Sequence, residues 1–285
     1  MIHSHIAMLQ QRPAIPQTEP PLPAKLTLPT MYDLPSENPE EPGLPDEFHG
    51  LQSQLLCRTL HLTGRMSDRI FVGFDLNLYY NVRQPLWYKR PDWFLVLDVP
   101  RLYEDTDLRS SYVVWQEGAN PFIVVELLSP GTEKEDLGDF AESEEVNPSE
   151  ASETQESNGQ PTRAIPPRKW EVYERILRVP YYAVFSRYND CLRGFKLDGG
   201  RYQEQALETD NPQFWIPELN LGLGLWQGEF EGINRRWLRW YDALGNWVPT
   251  DAERERQKRL ELAQKLKSLS PEQLTALGIN LEELE

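Results

Sequence analysis

The stretch "PFIVVELLSPGT", Pro121–Thr132, reads as a buried strand followed by a turn, with one acid, Glu126, near the strand's end. Ile123, Val124 and Val125 are the β-branched residues that a covered strand favours, and Ser129-Pro130-Gly131 supplies turn residues directly after it. A carboxylate just inside a sheet is costly to desolvate unless a partner or a metal compensates it. Glu126 therefore needs something else in the chain to reach it.

Upstream, "RPDWFLVLDV" places Asp92 at the head of a second apolar strand, directly after Pro91. If the two strands pair in one sheet, both carboxylates converge on a hard divalent ion, Mg²⁺ or Mn²⁺, which takes oxygen ligands. Phosphodiester chemistry at such a pair gains from a cation that orients water and stabilises charge growing on the phosphate. The position two after Glu126 is Leu128 rather than lysine; Lys169, opening the next helix with Arg168 beside it, is the substitute. Each residue also has a plainer reading. Asp92 after a proline can turn or cap the chain, Glu126 can pair with a buried arginine, and Lys169 can be a solvated residue at a helix start. Ser129 belongs to a turn, because no histidine is placed to act as its base.

Around these strands, "RIFVGFDLNLYY", "SYVVWQ" and "PYYAVFS" read as further strands, and "CLRGFKLDGGRYQEQ" as a hairpin turning at Asp198-Gly199-Gly200. "DEFHGLQSQLLCRTLHL" has helical spacing at Phe48, Leu51, Leu55 and Leu62, and "PPRKWEVYERILRV" predicts a helix with Trp170, Tyr173, Ile176 and Leu177 on one face. The fold class is therefore α/β, with a mixed α+β sheet.

Residues 1–45 carry ten of the 24 prolines and read as a disordered lead-in. The domain occupies 46–249, interrupted over 133–163 by an acidic insert whose composition cannot order itself. The tail, 250–285, holds two helices, each preceded by a capping box, at Thr250/Glu253 and at Ser270/Gln273. The first packs either on its own domain or on the second copy of a homodimer. Trp226, Trp237, Trp240 and Trp247 read as core or tail-packing aromatics.

The 285 residues are 39% hydrophobic and 11% aromatic, enough for a real core. With 29 basic and 45 acidic residues the net charge is -16, which argues against a generic electrostatic nucleic-acid binder. Ten of the acids, against one lysine, lie between Glu133 and Gln160, so the charge is partly local. Arg58, Arg65, Arg69, Arg83, Lys89 and Arg90 are the basic residues available to gather on one face. Two unpaired cysteines, no secretory leader and no apolar run of spanning length read as a cytoplasmic protein without a membrane segment. Neither Cys57 and Cys191 nor the four histidines form a zinc pattern.

In order, "RPDWFLVLDV", "NPFIVVELLSPGTEKED" and "KWEVYERILRVPYYAVFS" resemble the Uma2 family of proposed restriction endonucleases, a branch of the PD-(D/E)XK nucleases. The resemblance runs on through "FKLDGGRYQ", "LGLGLWQGEFEG" and "WLRWYDALGNWVPTDAERERQK", so it spans roughly Asp46 to Lys258. It implies a restriction-endonuclease-like core that hydrolyses DNA with Mg²⁺ or Mn²⁺, with Asp92 and Glu126 as metal ligands. It further implies Lys169 as the catalytic lysine moved from strand to helix, and Ser129 and Tyr173 in supporting positions. Glu47 is a candidate for an added acid on the first helix. From another class, the same fold without catalysis would serve as a binding or assembly module.

Overall fold

The computed structural model describes residues 20–22, 46–64, 67–129, 131–141 and 165–268. Nearly all of the proline-rich lead-in, Arg65, most of the acidic insert and the second tail helix lie outside them. Two compact units, Met1–Glu47 and Phe48–Glu285, divide the chain, and the second carries the architecture described below.

In chain order the helices are α1 (Glu47–Thr59), α2 (Val114–Glu117), α3 (Glu133–Leu137), α4 (Lys169–Glu171, running into a π-helical turn Val172–Ile176) and α5 (Asp251–Lys267). The strands are β1 (Ile70–Gly73), β2 (Leu78–Tyr79), β3 (Tyr88–Lys89), β4 (Trp93–Leu97), β5 (Tyr112–Val113), β6 (Ile123–Leu127) and β7 (Tyr181–Ser186). They continue with β8 (Cys191–Asp198), β9 (Arg201–Glu204), β10 (Gln213–Ile216), β11 (Leu221–Phe230) and β12 (Ile233–Asp242). A six-stranded sheet in the order β1-β4-β6-β7-β8-β9 forms the centre; β10-β11-β12 and β3-β2-β5 form two smaller sheets. Within the central sheet only β6 and β7 run parallel. A parallel pair needs a long crossover, and the segment carrying α3 and α4 provides it.

Side-chain alternation divides the core in two. Trp93, Leu95, Ile123, Val125, Leu127, Tyr181, Ala183 and Phe185 face one way, packing with Phe48, Leu55 and Leu56 of α1 and with the buried residues of β10–β12. Phe94, Val96, Val124, Tyr182 and Val184 face the other way, packing with Trp170, Val172, Tyr173 and Leu177 of the α4 region. Because successive strand residues point to opposite faces, Glu126 shares the second face with Val124, and Asp92 shares it with Phe94. The mixed fold class read from the sequence is the observed one.

Several element boundaries differ from the sequence reading. "RIFVGFDLNLYY" is two strands, separated where Asp75 takes a left-handed φ of 49° and its N–H donates to Pro91 O at 3.1 Å; aspartate tolerates that conformation better than most residues. "SYVVWQ" gives two strand residues and then one helical turn, which Gly118 ends at φ 72°. Leu62 lies beyond the end of α1, and Ile176, expected on the packed face of α4, is 42% exposed because the π-helical turn changes the spacing.

The expected insert, 133–163, opens with structured residues. Residues 133–141 are structured, as α3 and a 3-10 turn Gly138–Phe140, with Leu137 buried and Phe140 packed against the second core. The hairpin β8–β9 turns through Gly199 and Gly200, both at positive φ, as expected for a two-residue connection. The capping box of α5 also forms: Glu253 N donates to Thr250 Oγ1 at 3.2 Å and Thr250 N to Glu253 Oε2 at 2.7 Å. Arg239 Nη1 donates to Glu253 at 3.1 Å, holding that first turn to its own domain. Trp237 and Trp240 are buried in the core, while Trp226 is partly buried beneath the Arg239 guanidinium.

The central sheet and β10 meet at Gly194, where an added Cβ would lie 2.5 Å from the Phe214 ring. Gly194→Ala must displace a buried aromatic, so it is expected to destabilise the domain by about 1–3 kcal/mol. Urea unfolding measures this, and an unchanged midpoint would show that the Phe214 contact is not tight.

Candidate functional site

The register of β4 against β6, with Trp93 opposite Val125 and Phe94 opposite Val124, carries Asp92 level with Glu126. Both acids lock into the sheet through the other's strand. Asp92 N donates to Glu126 Oε2 at 3.3 Å, and Leu127 N donates to Asp92 Oδ2 at 2.6 Å. Glu126 is fully buried.

Helix α4 lies over this pair. Lys169 and Tyr173 are four residues apart, the spacing that puts two side chains on one helix face. Lys169 Nζ donates to Glu126 Oε2 at 2.9 Å and the Tyr173 hydroxyl to Glu126 Oε1 at 2.7 Å. The burial of Glu126 is thus compensated by an ammonium, where the plainer reading had an arginine. The Lys169 side chain is 20% exposed, so one side of the group opens to solvent.

Four residues that the sequence reading did not select stand beside these. The first helix contributes His49, whose Nε2 is 3.2 Å from Leu127 O and 4.0 Å from Asp92 Oδ1. Helix α3 contributes Glu135, which accepts from Lys169 N at 2.9 Å and from Lys89 Nζ at 2.6 Å, and Asp136, with Oδ1 3.4 Å from Lys169 Nζ. Asp75 is paired with Arg90 at 3.7 Å and feels the charge of Asp92. Glu135 and Asp136 were hidden inside an acidic run that reads as insert, and Asp75 lies in a turn inside an apparent strand. Of the two remaining candidates, Glu47 is exposed in the first turn of α1, and Ser129 accepts from Thr132 N at 3.1 Å, as a turn residue.

The electrostatics follow from burial. It pushes the Glu126 carboxyl well above the ordinary carboxylate range; Lys169 pulls it down, and Asp92 and Asp136 add to the rise. Burial raises Asp136 too, against the pull of Lys169 and Thr132. For Lys169 burial acts downward, but Asp136, Glu126 and Asp92 outweigh it and hold the group well above its ordinary value. Lys169 is therefore an ammonium at neutral pH. Tyr173 is also raised, by burial and then by Glu126, and stays a neutral donor.

Four of the basic residues the sequence singles out have acidic or backbone partners. Arg58 pairs with Glu231 at 2.6 Å and Arg69 Nη2 donates to Asp98 O at 2.5 Å, whereas Lys89 and Arg90 border the acid pair through Glu135 and Asp75. No set of three or more His, Cys, Asp or Glu among the described residues is arranged to hold a metal ion. Two oxygen-donor carboxylates do fit a hard ion that retains most of its water, which is how Mg²⁺ is commonly held.

A family model described as "Putative restriction endonuclease" matches residues 25–231, well over half of the chain. The chain belongs to the Uma2 family. The Uma2 match spans Asp92, Glu126, Lys169 and Tyr173, beginning inside the proline-rich lead-in and ending at the β11–β12 turn. It agrees with the mixed sheet and with a restriction-endonuclease-like fold. No curated protein shows significant similarity to the chain. No helix among the described residues is long and apolar enough to cross a membrane.

A carboxyl whose folded pKa lies above its unfolded value, about 4.3 for glutamate, contributes stability fully present below that value. The contribution is lost as pH rises through the folded pKa. In metal-free buffer the stability of wild type relative to Glu126→Gln is therefore expected to fall as pH rises from about 4.3. Urea unfolding of both proteins between acidic and neutral pH measures the difference; a pH-independent difference would contradict the raised carboxyl.

Proposed function

We propose that this Uma2 protein is a metal-dependent endonuclease that hydrolyses DNA phosphodiester bonds at the Asp92–Glu126–Lys169 group. The observation that carries the reading is the meeting of an acid at the head of β4 and an acid within β6 with a helix-borne ammonium. Lys169 Nζ lies 2.9 Å from a Glu126 oxygen that is itself 3.3 Å from Asp92 N.

Asp92 and Glu126 would hold Mg²⁺ or Mn²⁺, which when bound supplies Lewis-acid polarisation of a phosphoryl oxygen and a water of lowered pKa. The protein's own groups do the rest. Leu127 N and the Tyr173 hydroxyl fix one oxygen of each acid, so the carboxylates need not reorganise on binding. Lys169, an ammonium, is a donor rather than a base, and its role is to orient water and to stabilise negative charge growing on the phosphate. Its partial exposure leaves a path for the scissile group.

A second reading, a nuclease fold retained as a binding or assembly module, draws support from the net charge of -16. It also draws support from the engagement of both Glu126 oxygens by Lys169 and Tyr173. Plasmid and single-stranded DNA cleavage by the purified protein with Mg²⁺ or Mn²⁺ separates the two. The nuclease reading expects chelator-sensitive cutting that Asp92→Ala abolishes and Lys169→Ala lowers by about 10²-fold or more, the scale of losing one preorganised charge-stabilising donor. Folded protein that neither cuts nor binds metal favours the module.

A further inference from the structure

Asp136 is 3% exposed, and its Oδ1 is one of two buried side-chain polar atoms among the described residues that lack a hydrogen-bond partner, the other being the Tyr80 hydroxyl. Buried carboxylate oxygens without a hydrogen bond are rare, and here the nearby ammonium compensates the charge. Lys169 Nζ lies 3.4 Å from this oxygen, close enough for an ion pair, while its hydrogen bond goes to Glu126 at 2.9 Å. One ammonium thus serves two buried acids, hydrogen-bonded to Glu126 and ion-paired with Asp136.

The arrangement is built rather than incidental. Helix α3 grips Lys169 at both ends, since Glu135 accepts from its backbone N–H at 2.9 Å while the adjacent Asp136 faces its ammonium. The Tyr182 hydroxyl of β7 donates to Asp136 O at 2.8 Å, tying α3 to the central sheet. Gly138, at φ 54°, brings the chain so close to Trp170 that a Cβ there would lie 2.6 Å from the indole ring. The distance between α3 and the helix bearing Lys169 is therefore fixed by packing.

We propose that Asp136 is a positioning residue for Lys169. When a divalent cation engages Glu126, the ammonium is displaced by like charge and Asp136 Oδ1 takes over its hydrogen bond, keeping the charge beside the acid pair. The exchange needs only a small movement of one ammonium, and no covalent bond changes. The proposal rests on the nuclease reading, because it concerns how the same acid pair accepts its cation.

Mn²⁺ titration calorimetry on wild type, Asp136→Asn, Lys169→Met and the double variant tests it, with melting curves to establish folding. Asparagine keeps an acceptor oxygen but not the negative charge, so the displaced ammonium loses its counter-charge and Asp136→Asn should weaken Mn²⁺ binding by about tenfold, the lower end for loss of a group supporting metal ligands. In the Lys169→Met background the same change should have little effect, since nothing remains to be held. Lys169→Met alone should bind Mn²⁺ more tightly than wild type, and this arm stands even if Asp136→Asn does not fold. An equal loss in both backgrounds would make Asp136 a direct ligand and overturn the proposal, as would unchanged binding by Asp136→Asn, or by Lys169→Met where the former does not fold. In those cases wild-type binding leaves the nuclease reading intact, whereas folded wild type that binds no Mn²⁺ removes both.

Discussion

A buried carboxylate next to an ammonium governs the organisation of this protein. Glu126 sits in a strand whose every residue is buried, and among the described residues three donors reach it: Lys169 Nζ, the Tyr173 hydroxyl and Asp92 N. Removing one partner of such a pair costs about 3–5 kcal/mol, because the remaining charge stays buried. The helix carrying Lys169 and Tyr173 is therefore constrained to lie over the end of β6. Its π-helical turn and its contact with Gly138 then follow as features that keep Lys169, Trp170, Tyr173 and Leu177 in register with the sheet.

The same constraint explains why α3 is ordered within an acidic stretch. Leu137 and Phe140 anchor it in the second core, Tyr182 holds its backbone, and Glu135 and Asp136 both meet Lys169. Glu135 and Asp136 are paired with the cations Lys89 and Lys169. Burial, with Asp92 and Asp136 adding to it, raises the Glu126 pKa, while Asp136, Glu126 and Asp92 hold Lys169 protonated. That balance limits Lys169 to donating hydrogen bonds.

Much of the site was legible because its members sit at strand and helix positions with strong local signals. Asp92 follows a proline and precedes an apolar run, Glu126 interrupts one, and Lys169 opens a helix that carries Tyr173. Glu135 and Asp136 were not legible. Ten acids in a short span resemble a solvated insert, and the two apolar residues that anchor its first part carry no periodic signal. His49 and Asp75 were missed for a related reason: neither sits in a pattern, and each matters only through its distance to Asp92.

The sequence by itself determined the mixed fold class, the strand headed by Asp92 and the strand holding Glu126, the capped tail helix and a helix opening at Lys169. These rest on alternation, turn chemistry and helical spacing, which act over a few residues. Only the tertiary structure decided that β4 and β6 pair with the two acids level and that the buried acid's partner is Lys169 rather than an arginine. It also decided that part of the acidic run folds against that lysine. Such outcomes depend on register and on charge balance among segments far apart in the chain, where burial selects which opposite charges must meet.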